Sequence, residues 1–299
     1  MHPQPIINIG NFKIYPYGVC MAVGILACFG FLMFTMWKKK FNEEATDKIL
    51  FIGLFGTGFG IFSAMLFQAT YNYIANPARG FKLGDSMTFI GGLIGGVVSF
   101  LGVYWLYIYV IAPKAKSKLL QNNMNATLTD ALPFIPIGIV IAHSFGRLGC
   151  FFGGCCYGKP TDEWFGLYCA KNYDPISGIV YTGERVIPTQ LFECIFLALL
   201  AAVMIVLYFK FKFNYNFAVY AISYGIWRFI IEYFRDDERG VLIPGALYPS
   251  QIWSIIMVLF GVGYIFLQYY VLSKHMKHPE LKDCVEPVTD GGEEAGVSE

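Results

Sequence analysis

The stretch with the most potential for chemistry reads HSFGRLGCFFGGCCYG and begins at His143. His143, Arg147 and Cys150 are spaced i, i+4 and i+7, so on a helix they lie on one face. An arginine inside a membrane helix costs about 2.5–3.5 kcal/mol on insertion scales, which marks this position as functional. Its guanidinium is a planar fork of donors that suits a phosphate. The alternative is a buried arginine that pairs with Glu193 or Glu232 and only holds helices together.

The same stretch is rich in glycine. Glycines allow close approach of the backbone or let the chain leave a helix. Here they indicate room for a ligand beside the arginine, which favours binding over a purely structural arginine. They are Gly146, Gly149, Gly153, Gly154 and Gly158.

A second polar stripe lies in the apolar segment around Arg228. Tyr224 precedes Arg228 by four residues, Glu232 follows it by four, and Arg235 comes three residues later. Side chains four apart are neighbours on a helix. A second arginine in a membrane helix strengthens the case for an anionic ligand. The alternative is an Arg228–Glu232 pair that neutralises itself.

A third polar segment follows Pro188. Gln190 and Glu193 are spaced i and i+3 at the start of an apolar run. A glutamate near the start of a helix is also stabilised by the helix dipole. The segment fits a supporting role at the site and an ordinary polar helix start equally well.

Four of the eight cysteines lie at or beyond the outward-facing membrane–water interface that is expected at the end of the fourth apolar stretch. They are Cys150, Cys155, Cys156 and Cys169. The preferred interpretation is packing, or one or two disulfides if the compartment is oxidising. A reactive thiol at Cys155 or Cys156, beside the arginine and histidine, is the second interpretation. A metal site ranks third because the spacing is unfamiliar, and we expect no metal and no organic cofactor.

Membrane helices must position these residues. Charged residues make up 14% of the 299-residue chain, whereas a soluble domain carries about 25%. A membrane span needs about 20 mostly apolar residues, and seven stretches qualify or nearly qualify, at about 15–37, 49–73, 87–112, 131–153, 189–209, 217–234 and 249–272. The sequence therefore predicts an all-α integral membrane protein with seven transmembrane helices. The net charge of +1 argues against a nucleic-acid partner.

The lysines predict an orientation, because positive charge concentrates in cytoplasmic loops. They follow spans one, three, five and seven, at Lys38–Lys40, Lys114, Lys116, Lys118, Lys210, Lys212, Lys274 and Lys277. This places the N-terminus outside and the C-terminus in the cytoplasm. The membrane domain is expected at 1–278, with a small outward-facing head at about 154–188 between helices four and five. The acidic segment 279–299 is expected to be a disordered cytoplasmic tail.

Short motifs occur in a fixed order along the chain. They are YPYG at 15–18, FIGGLIG at 89–95, GRLG at 146–149, PTQLFE at 188–193, YGIWR at 224–228, EYFR at 232–235 and QIWS at 251–254. Together they make the chain resemble the bacterial prolipoprotein diacylglyceryl transferase family over nearly its whole length. That family attaches the diacylglyceryl group of phosphatidylglycerol to the lipobox cysteine of an exported preprotein, as a thioether.

The resemblance implies roles for individual residues. Arg147 and Arg228 would bind the phosphate region of the lipid, with Arg235 beside them. Tyr17 and Tyr224 carry over as tyrosines of the site. The residues expected to support the site are Glu193, Glu232, Gly146, Gly149, Gly158 and Gln190.

The chain departs from the family pattern where proton transfer would occur. The family usually has histidine at the position of Ile90, asparagine at Cys150 and Gly153, and glutamate at Cys155. Transfer to sulfur requires the acceptor as a thiolate, so some base or a positive field is needed. We hypothesise that His143, assisted by Cys155, replaces the missing base.

The leading interpretation is a transferase of the bacterial cytoplasmic membrane. Its partners would be phosphatidylglycerol, an anionic phospholipid, and the signal peptide of a prolipoprotein. One alternative is a paralogue that moves a lipid or other group to a different acceptor through Cys155 or Cys156. The other is a non-enzymatic phospholipid-binding protein. Substrate-protected labelling of an outward cysteine would favour the former, and lipid binding without turnover the latter.

Overall fold

Long helices occupy all seven stretches that the sequence predicts. The computed structural model describes residues 5–9, 12–77, 80–84, 87–111, 127–174, 178–181, 184–236 and 248–276. Within these ranges the long helices are α1 (Pro16–Lys38), α2 (Glu43–Ala75), α3 (Phe89–Leu106), α4 (Ile135–Gly153), α5 (Thr189–Phe211), α6 (Asn216–Ile231) and α7 (Pro249–Met276). A π-helical segment, Tyr107–Ile111, extends α3, and a 3-10 turn, Glu232–Phe234, extends α6. The tail predicted at 279–299 lies outside the described residues.

Six of the described helices are long and apolar enough to cross a membrane. The exception is α6, whose 16 residues span about 24 Å at 1.5 Å per residue. A bilayer core is about 30 Å thick. The chain is therefore a multi-pass helical membrane protein by length and composition, with α6 as its short member.

Two small β-hairpins correct the all-α prediction outside the membrane helices. Strands β1 (Ile7–Ile9) and β2 (Phe12–Ile14) pair antiparallel just before α1. Strands β3 (Ala170–Asp174) and β4 (Gly178–Tyr181) pair antiparallel between α4 and α5. Strands of three to five residues are too short to show a clear alternation of apolar and polar residues, so the sequence analysis missed them.

Local sequence explains where two of the helices begin. The Asn42 side-chain oxygen accepts a hydrogen bond of 2.9 Å from the backbone N–H of Ala45, which caps α2. The fourth helix begins at Ile135 rather than at 131, with Pro136 in its first turn. Proline lacks an N–H and is tolerated in a first turn. Pro136 therefore starts this helix instead of bending it.

The helices pack in neighbouring pairs: α1 with α4, α2 with α3, α4 with α5, and α6 with α7. Small residues let α2 and α3 approach closely, since a Cβ atom on Gly60 would lie 3.0 Å from the Gly92 carbonyl oxygen. A separate core joins α1, α4, α5 and α6 through buried side chains, which include Leu32, Met36, Ile137, Val140, Leu197, Met204 and Tyr224.

The polarity of the molecule is inverted relative to a soluble protein. Large apolar side chains such as Trp37 and Phe51 are 73% and 70% exposed. Glu193, Arg228 and Glu232 are buried instead. Ionisable groups inside a membrane protein face the interior of the bundle. These three residues therefore face the interior of the bundle rather than the lipid.

Candidate active site between three helices

Arg147 on α4 connects two neighbouring helices. Its Nη2 atom lies 3.1 Å from the hydroxyl oxygen of Tyr224 on α6 and 3.1 Å from Oε1 of Glu193 on α5. The Tyr224 hydroxyl donates a hydrogen bond of 2.8 Å to the same Glu193 oxygen. We call these three residues the Arg147 network. It joins three helices at one carboxylate oxygen.

The Arg147 network has unused hydrogen-bonding capacity. Oε2 of the fully buried Glu193 has no hydrogen-bond partner among the described residues. Nε and Nη1 of Arg147 likewise make no hydrogen bond to the described part of the chain, and 18% of this side chain is exposed. A buried acceptor without a donor costs about 1–3 kcal/mol. The network therefore has room for another polar group.

Arg228 and Glu232 form a pair along one helix. Nη1 of Arg228 lies 2.5 Å from Oε2 of Glu232, four residues later. Both side chains are at least 90% buried. We call them the Arg228 pair. This is the self-neutralising arrangement that the sequence offered as an alternative, and the phosphate-binding role of Arg228 stays a prediction.

The two arginines approach a common point. Each is close enough to the Tyr224 hydroxyl, and to the ring of His143, to interact with it electrostatically. Each guanidinium is paired with a glutamate, Glu193 or Glu232, so the charges in this part of the bundle are balanced. An anion that bound there would be near both.

His143 lies against two tyrosines. Its Nδ1 atom is 3.0 Å from the hydroxyl oxygen of Tyr220, and its ring centre is 4.7 Å from that of Tyr224 in an edge-on arrangement. Tyr220 was not among the predicted site residues, although it precedes Tyr224 by four residues and so shares its helix face. His143 lies about 10 Å along α4 from Cys150, at 1.5 Å per residue. In the described contacts it does not meet Cys155.

Tyr17 lies where α1 crosses the end of α4. A Cβ atom on Gly149 would lie 3.2 Å from the Tyr17 ring, so this glycine allows the close contact. A Cβ on Gly146 would meet nothing within 4 Å, which leaves open space one residue before Arg147. Gly158 is tightly enclosed, because a Cβ there would overlap the carbonyl oxygen of Phe234. The three predicted supporting glycines thus have different surroundings.

Cys150, Cys155 and Cys156 form a cluster at the end of α4. Their Sγ atoms all lie within 4.8 Å of one another. Cys155 is exposed and the other two are half-buried. Hydrogen bonds from the Cys150 and Cys155 thiols, aided by Arg235 and Arg147, lower the pKa of Cys156. We call these three residues the cysteine cluster; Cys169 is not part of it.

The start of α5 holds the backbone of the cysteine cluster. The Gln190 amide nitrogen donates to the carbonyl oxygen of Cys155, and the Thr189 hydroxyl donates to that of Cys156, each at 2.6 Å. Gln190 therefore contacts the backbone of the cysteine cluster, and its supporting role at the site stays a prediction. Thr189 was not among the predicted site residues, and its only signal was its place beside Gln190.

Arg235 lies with the cysteine cluster. It is buried, forms a backbone bridge with Gly158, and is close enough to Cys156 to interact with it electrostatically.

Ile90, where the family pattern has histidine, lies in α3, and its side chain is outside the described part of the structure. A separate groove of about 230 Å³ lies between α6 and α7 and is lined by apolar residues and Ser254. It contains none of the predicted site residues.

These features define a class of protein: a multi-pass membrane protein with arginines and carboxylates buried between its helices, beside a group of thiols. The family model for prolipoprotein diacylglyceryl transferase matches residues 4–267. The chain therefore belongs to the prolipoprotein diacylglyceryl transferase family, a family of transferases, which confirms the resemblance seen in the motifs.

Related proteins match over most of their length. A phosphatidylglycerol–prolipoprotein diacylglyceryl transferase of Clostridium tetani is 30% identical over 261 residues, which cover 87% of this chain and 95% of that protein. The protein of the same name from Hydrogenovibrio crunogenus is 28% identical over 273 residues, with 88% and 93% covered. In Clostridium perfringens, a transferase of this name numbered 2 is 27% identical over 265 residues, with 85% and 91% covered.

Proposed function

We propose that this chain transfers the diacylglyceryl group of phosphatidylglycerol to the lipobox cysteine of exported prolipoproteins, in the bacterial cytoplasmic membrane. The observation that carries the proposal is the Arg147 network, whose partly exposed guanidinium has donors that make no hydrogen bond within the described part of the chain. A phosphodiester is an anion that such a fork binds well. Membership of a transferase family supports the same assignment.

The arginines would bind the lipid and stabilise its departure. Arg147 and Arg228 would hold the phosphate region near Tyr224, with Tyr17 at the rim of the site. As the bond between the glyceryl carbon and the phosphate oxygen breaks, negative charge grows on the departing glycerol phosphate. Preorganised cations at that point lower the barrier electrostatically.

Lipid binding would change the partners of the arginines. In the structure Glu193 and Glu232 neutralise Arg147 and Arg228. A lipid phosphate that reached Arg147 could use its free donors without displacing Glu193. At Arg228 it would share the guanidinium with Glu232. The carboxylates would thus hold the arginines in place for the lipid.

The base remains a hypothesis about His143. Its contact with Tyr220 fixes the position of the imidazole ring. His143 does not contact Cys155, so a proton from an acceptor thiol near Cys155 would have to cross the gap between these two residues to reach the imidazole. A chain of Tyr224 and water would provide such a path.

Seven spans with an external N-terminus are part of the proposal. Helix α6 and its 3-10 turn together cover about 30 Å, at 1.5 and 2.0 Å per residue, so this element would span the bilayer core. Segment 154–188 would then form the outward-facing head, with 279–299 as the cytoplasmic tail of a membrane domain at 1–278. The lipobox cysteine of an exported preprotein would reach the site from the outward-facing side.

A transfer assay tests the function. Labelled phosphatidylglycerol and a lipobox peptide are incubated with the purified protein in detergent, and with Arg147→Ala. We expect thioether-linked label on the peptide with the native chain and a loss of at least about 100-fold with the variant. Arg185→Ala is the matched control. Its guanidinium donates to the carbonyl oxygens of Gly166 and Trp164 outside the membrane helices, so its activity should stay within about twofold of the native chain.

Three other results would contradict this proposal. Lipid binding by the native chain without transfer to the peptide would indicate a phospholipid-binding protein. Label that stayed on Cys155 or Cys156 would indicate a different acceptor. Equal activity of Arg147→Ala and the native chain would show that Arg147 has no role in transfer.

A further inference from the structure

The cysteine cluster has the dimensions of a metal site. Its three Sγ atoms lie within 4.8 Å of one another. With Zn–S bonds of about 2.3 Å, two sulfur ligands of a tetrahedral zinc ion are about 3.8 Å apart. Small side-chain rotations would therefore bring all three sulfurs to one ion. Thiolates are the preferred ligands of soft cations such as Zn²⁺ and Cu⁺.

The backbone of the cluster is held in an unusual conformation. Gly154 ends α4 with a φ of 71°, and Cys156 has a φ of 67°, in the left-handed region that residues with a side chain rarely adopt. Hydrogen bonds from Thr189 and Gln190 to the two cysteine carbonyl groups hold it there. Strain that the surroundings maintain in this way is concentrated at functional sites. The turn brings two successive cysteines to face a third on the preceding helix.

The surroundings suit an anionic metal centre. Three thiolates and a divalent cation sum to one negative charge, and Arg147 and Arg235 interact electrostatically with Cys156. Tyr17 interacts electrostatically with Arg147 and with all three sulfurs. The cluster therefore adjoins the Arg147 network, and the exposed Cys155 gives an ion access.

We propose that Cys150, Cys155 and Cys156 bind one thiophilic divalent cation, such as Zn²⁺, and leave its fourth coordination position to the acceptor thiol of the substrate peptide. The ion site stands on the geometry of the cluster, whereas the use of the fourth position rests on the proposed function. Three protein ligands and one open position are the arrangement of catalytic zinc sites. A thiol that coordinates zinc loses its proton.

The transfer step balances without a change of oxidation state. The acceptor thiol releases its proton on coordination, to solvent or to a protein base. A sulfur lone pair then attacks the glyceryl carbon, and the bond from that carbon to the phosphate oxygen breaks. The departing glycerol phosphate takes the electron pair, beside the arginines. The thioether product is neutral and a weaker ligand than a thiolate, so it leaves the ion.

Metal binding is tested without reference to activity. The full chain is purified in detergent under a non-thiol reductant, loaded with Zn²⁺ or Co²⁺, and freed of excess ion. We expect about one Zn²⁺ per chain by mass spectrometry of the metal, and thiolate-to-cobalt charge-transfer absorption with Co²⁺. Cys155→Ser should lose at least tenfold in Zn²⁺ affinity and most of the absorption. Cys169→Ser, which removes a buried thiol outside the cluster, should match the native chain.

Two results would overturn the ion site. One is equal Co²⁺ absorption in Cys155→Ser and the native chain. The other is a disulfide within the cluster, found by alkylating intact membranes at harvest and mapping the free thiols. Circular dichroism of Cys155→Ser shows whether the variant folds, and Cys150→Ser provides a second variant of the same site.

The fourth position is tested by the spectrum of the Co²⁺ protein. Addition of a lipobox peptide should increase the charge-transfer absorption, because a fourth thiolate joins the ion. The same peptide with serine in place of its cysteine should leave the spectrum unchanged. Equal spectra with both peptides would refute thiol coordination.

The transfer assay separates the two proposals. Transfer by a chain that binds no metal would refute the ion site and leave the proposed function standing. One bound ion in a chain that transfers nothing to the peptide would refute the proposed function and leave the ion site standing. Removal of the ion by a chelator should lower transfer at least tenfold, and Zn²⁺ should restore it.

Discussion

The Arg147 network and the Arg228 pair use the same two residue types in different ways. Arg147 meets a glutamate of another helix and shares it with Tyr224. Arg228 meets a glutamate on its own helix, four residues away. The first arrangement requires three helices to be in place, whereas the second requires only one continuous helix. A buried charge pair thus either depends on the tertiary structure or forms independently of it.

The largest expected effect comes from breaking the Arg147 network. Arg147→Ala should lower transfer about 10³-fold, since one preorganised donor of developing charge is worth 10²–10³-fold. It should also lower the free energy of unfolding by about 3–5 kcal/mol, because Glu193 is left buried and unpaired. Kinetics of transfer and denaturation in mixed detergent measure the two effects.

A double variant separates binding from structure. Arg147→Ala with Glu193→Gln removes both charges, so most of the lost stability should return while transfer stays low. Recovery of transfer together with stability would mean that Arg147 only joins helices, as the structural interpretation of the sequence holds.

Breaking the Arg228 pair should have a smaller effect on stability. Arg228→Ala should lower transfer about 10²-fold if both arginines bind the phosphate. The free energy of unfolding should fall by about 3 kcal/mol, since Glu232 is likewise left buried and unpaired, and by less than in Arg147→Ala because no second helix is held by this pair. The same two measurements apply. A larger loss of stability here than in Arg147→Ala would reverse the comparison.

Variants of His143 test whether transfer requires a base in addition to the charges of the arginines. His143→Gln keeps a polar side chain near Tyr220 but removes the base, and should lower transfer about 10²-fold. Tyr220→Phe removes only the hydroxyl partner of His143 and should cost less than tenfold. Rates at saturating lipid provide the comparison. Intact transfer in His143→Gln would eliminate the histidine as the base.

The smallest effect should come from the hydroxyl that bridges the Arg147 network. Tyr224→Phe keeps the ring and removes one hydrogen bond to Glu193 and one from Arg147. Transfer should fall by about 5- to 10-fold and stability by about 1–2 kcal/mol. Tyr233→Phe, the same change on an exposed tyrosine, should leave both unchanged. Equal values for the two variants would show that the hydroxyl has no part in the network.

Part of the site was predictable because it depends on spacing along one helix. The Arg228 pair follows from residues four apart, and the polar stripe of Tyr224, Arg228 and Glu232 from the same periodicity. The choice of Glu193 over Glu232 as partner of Arg147 was not predictable. It depends on which helix packs against α4, and nothing in the spacing of residues on α4 determines that.

The cysteine cluster lies between these two cases. Cys150 and Cys155 are five residues apart, which on a continued helix would place them on different faces. They meet because α4 ends at Gly153 and the left-handed conformation of Gly154 reverses the chain. The glycine was visible in the sequence, but the hydrogen bonds from Thr189 and Gln190 that hold the turn come from another helix. The spacing of the cysteines alone therefore did not indicate that their sulfurs lie close together.

The positions of the membrane helices, and the residues that are costly to bury in them, follow from the amino-acid sequence alone. Both follow from local quantities, namely the length of apolar runs and the energy of placing a charge in hydrocarbon. The pairing of Arg147 with Glu193, the contact of His143 with Tyr220 and the closeness of the three thiols depend on how the helices pack. Contacts between distant segments depend on how helices pack, and the packing of α4 against α5 and α6 is a property of all three together.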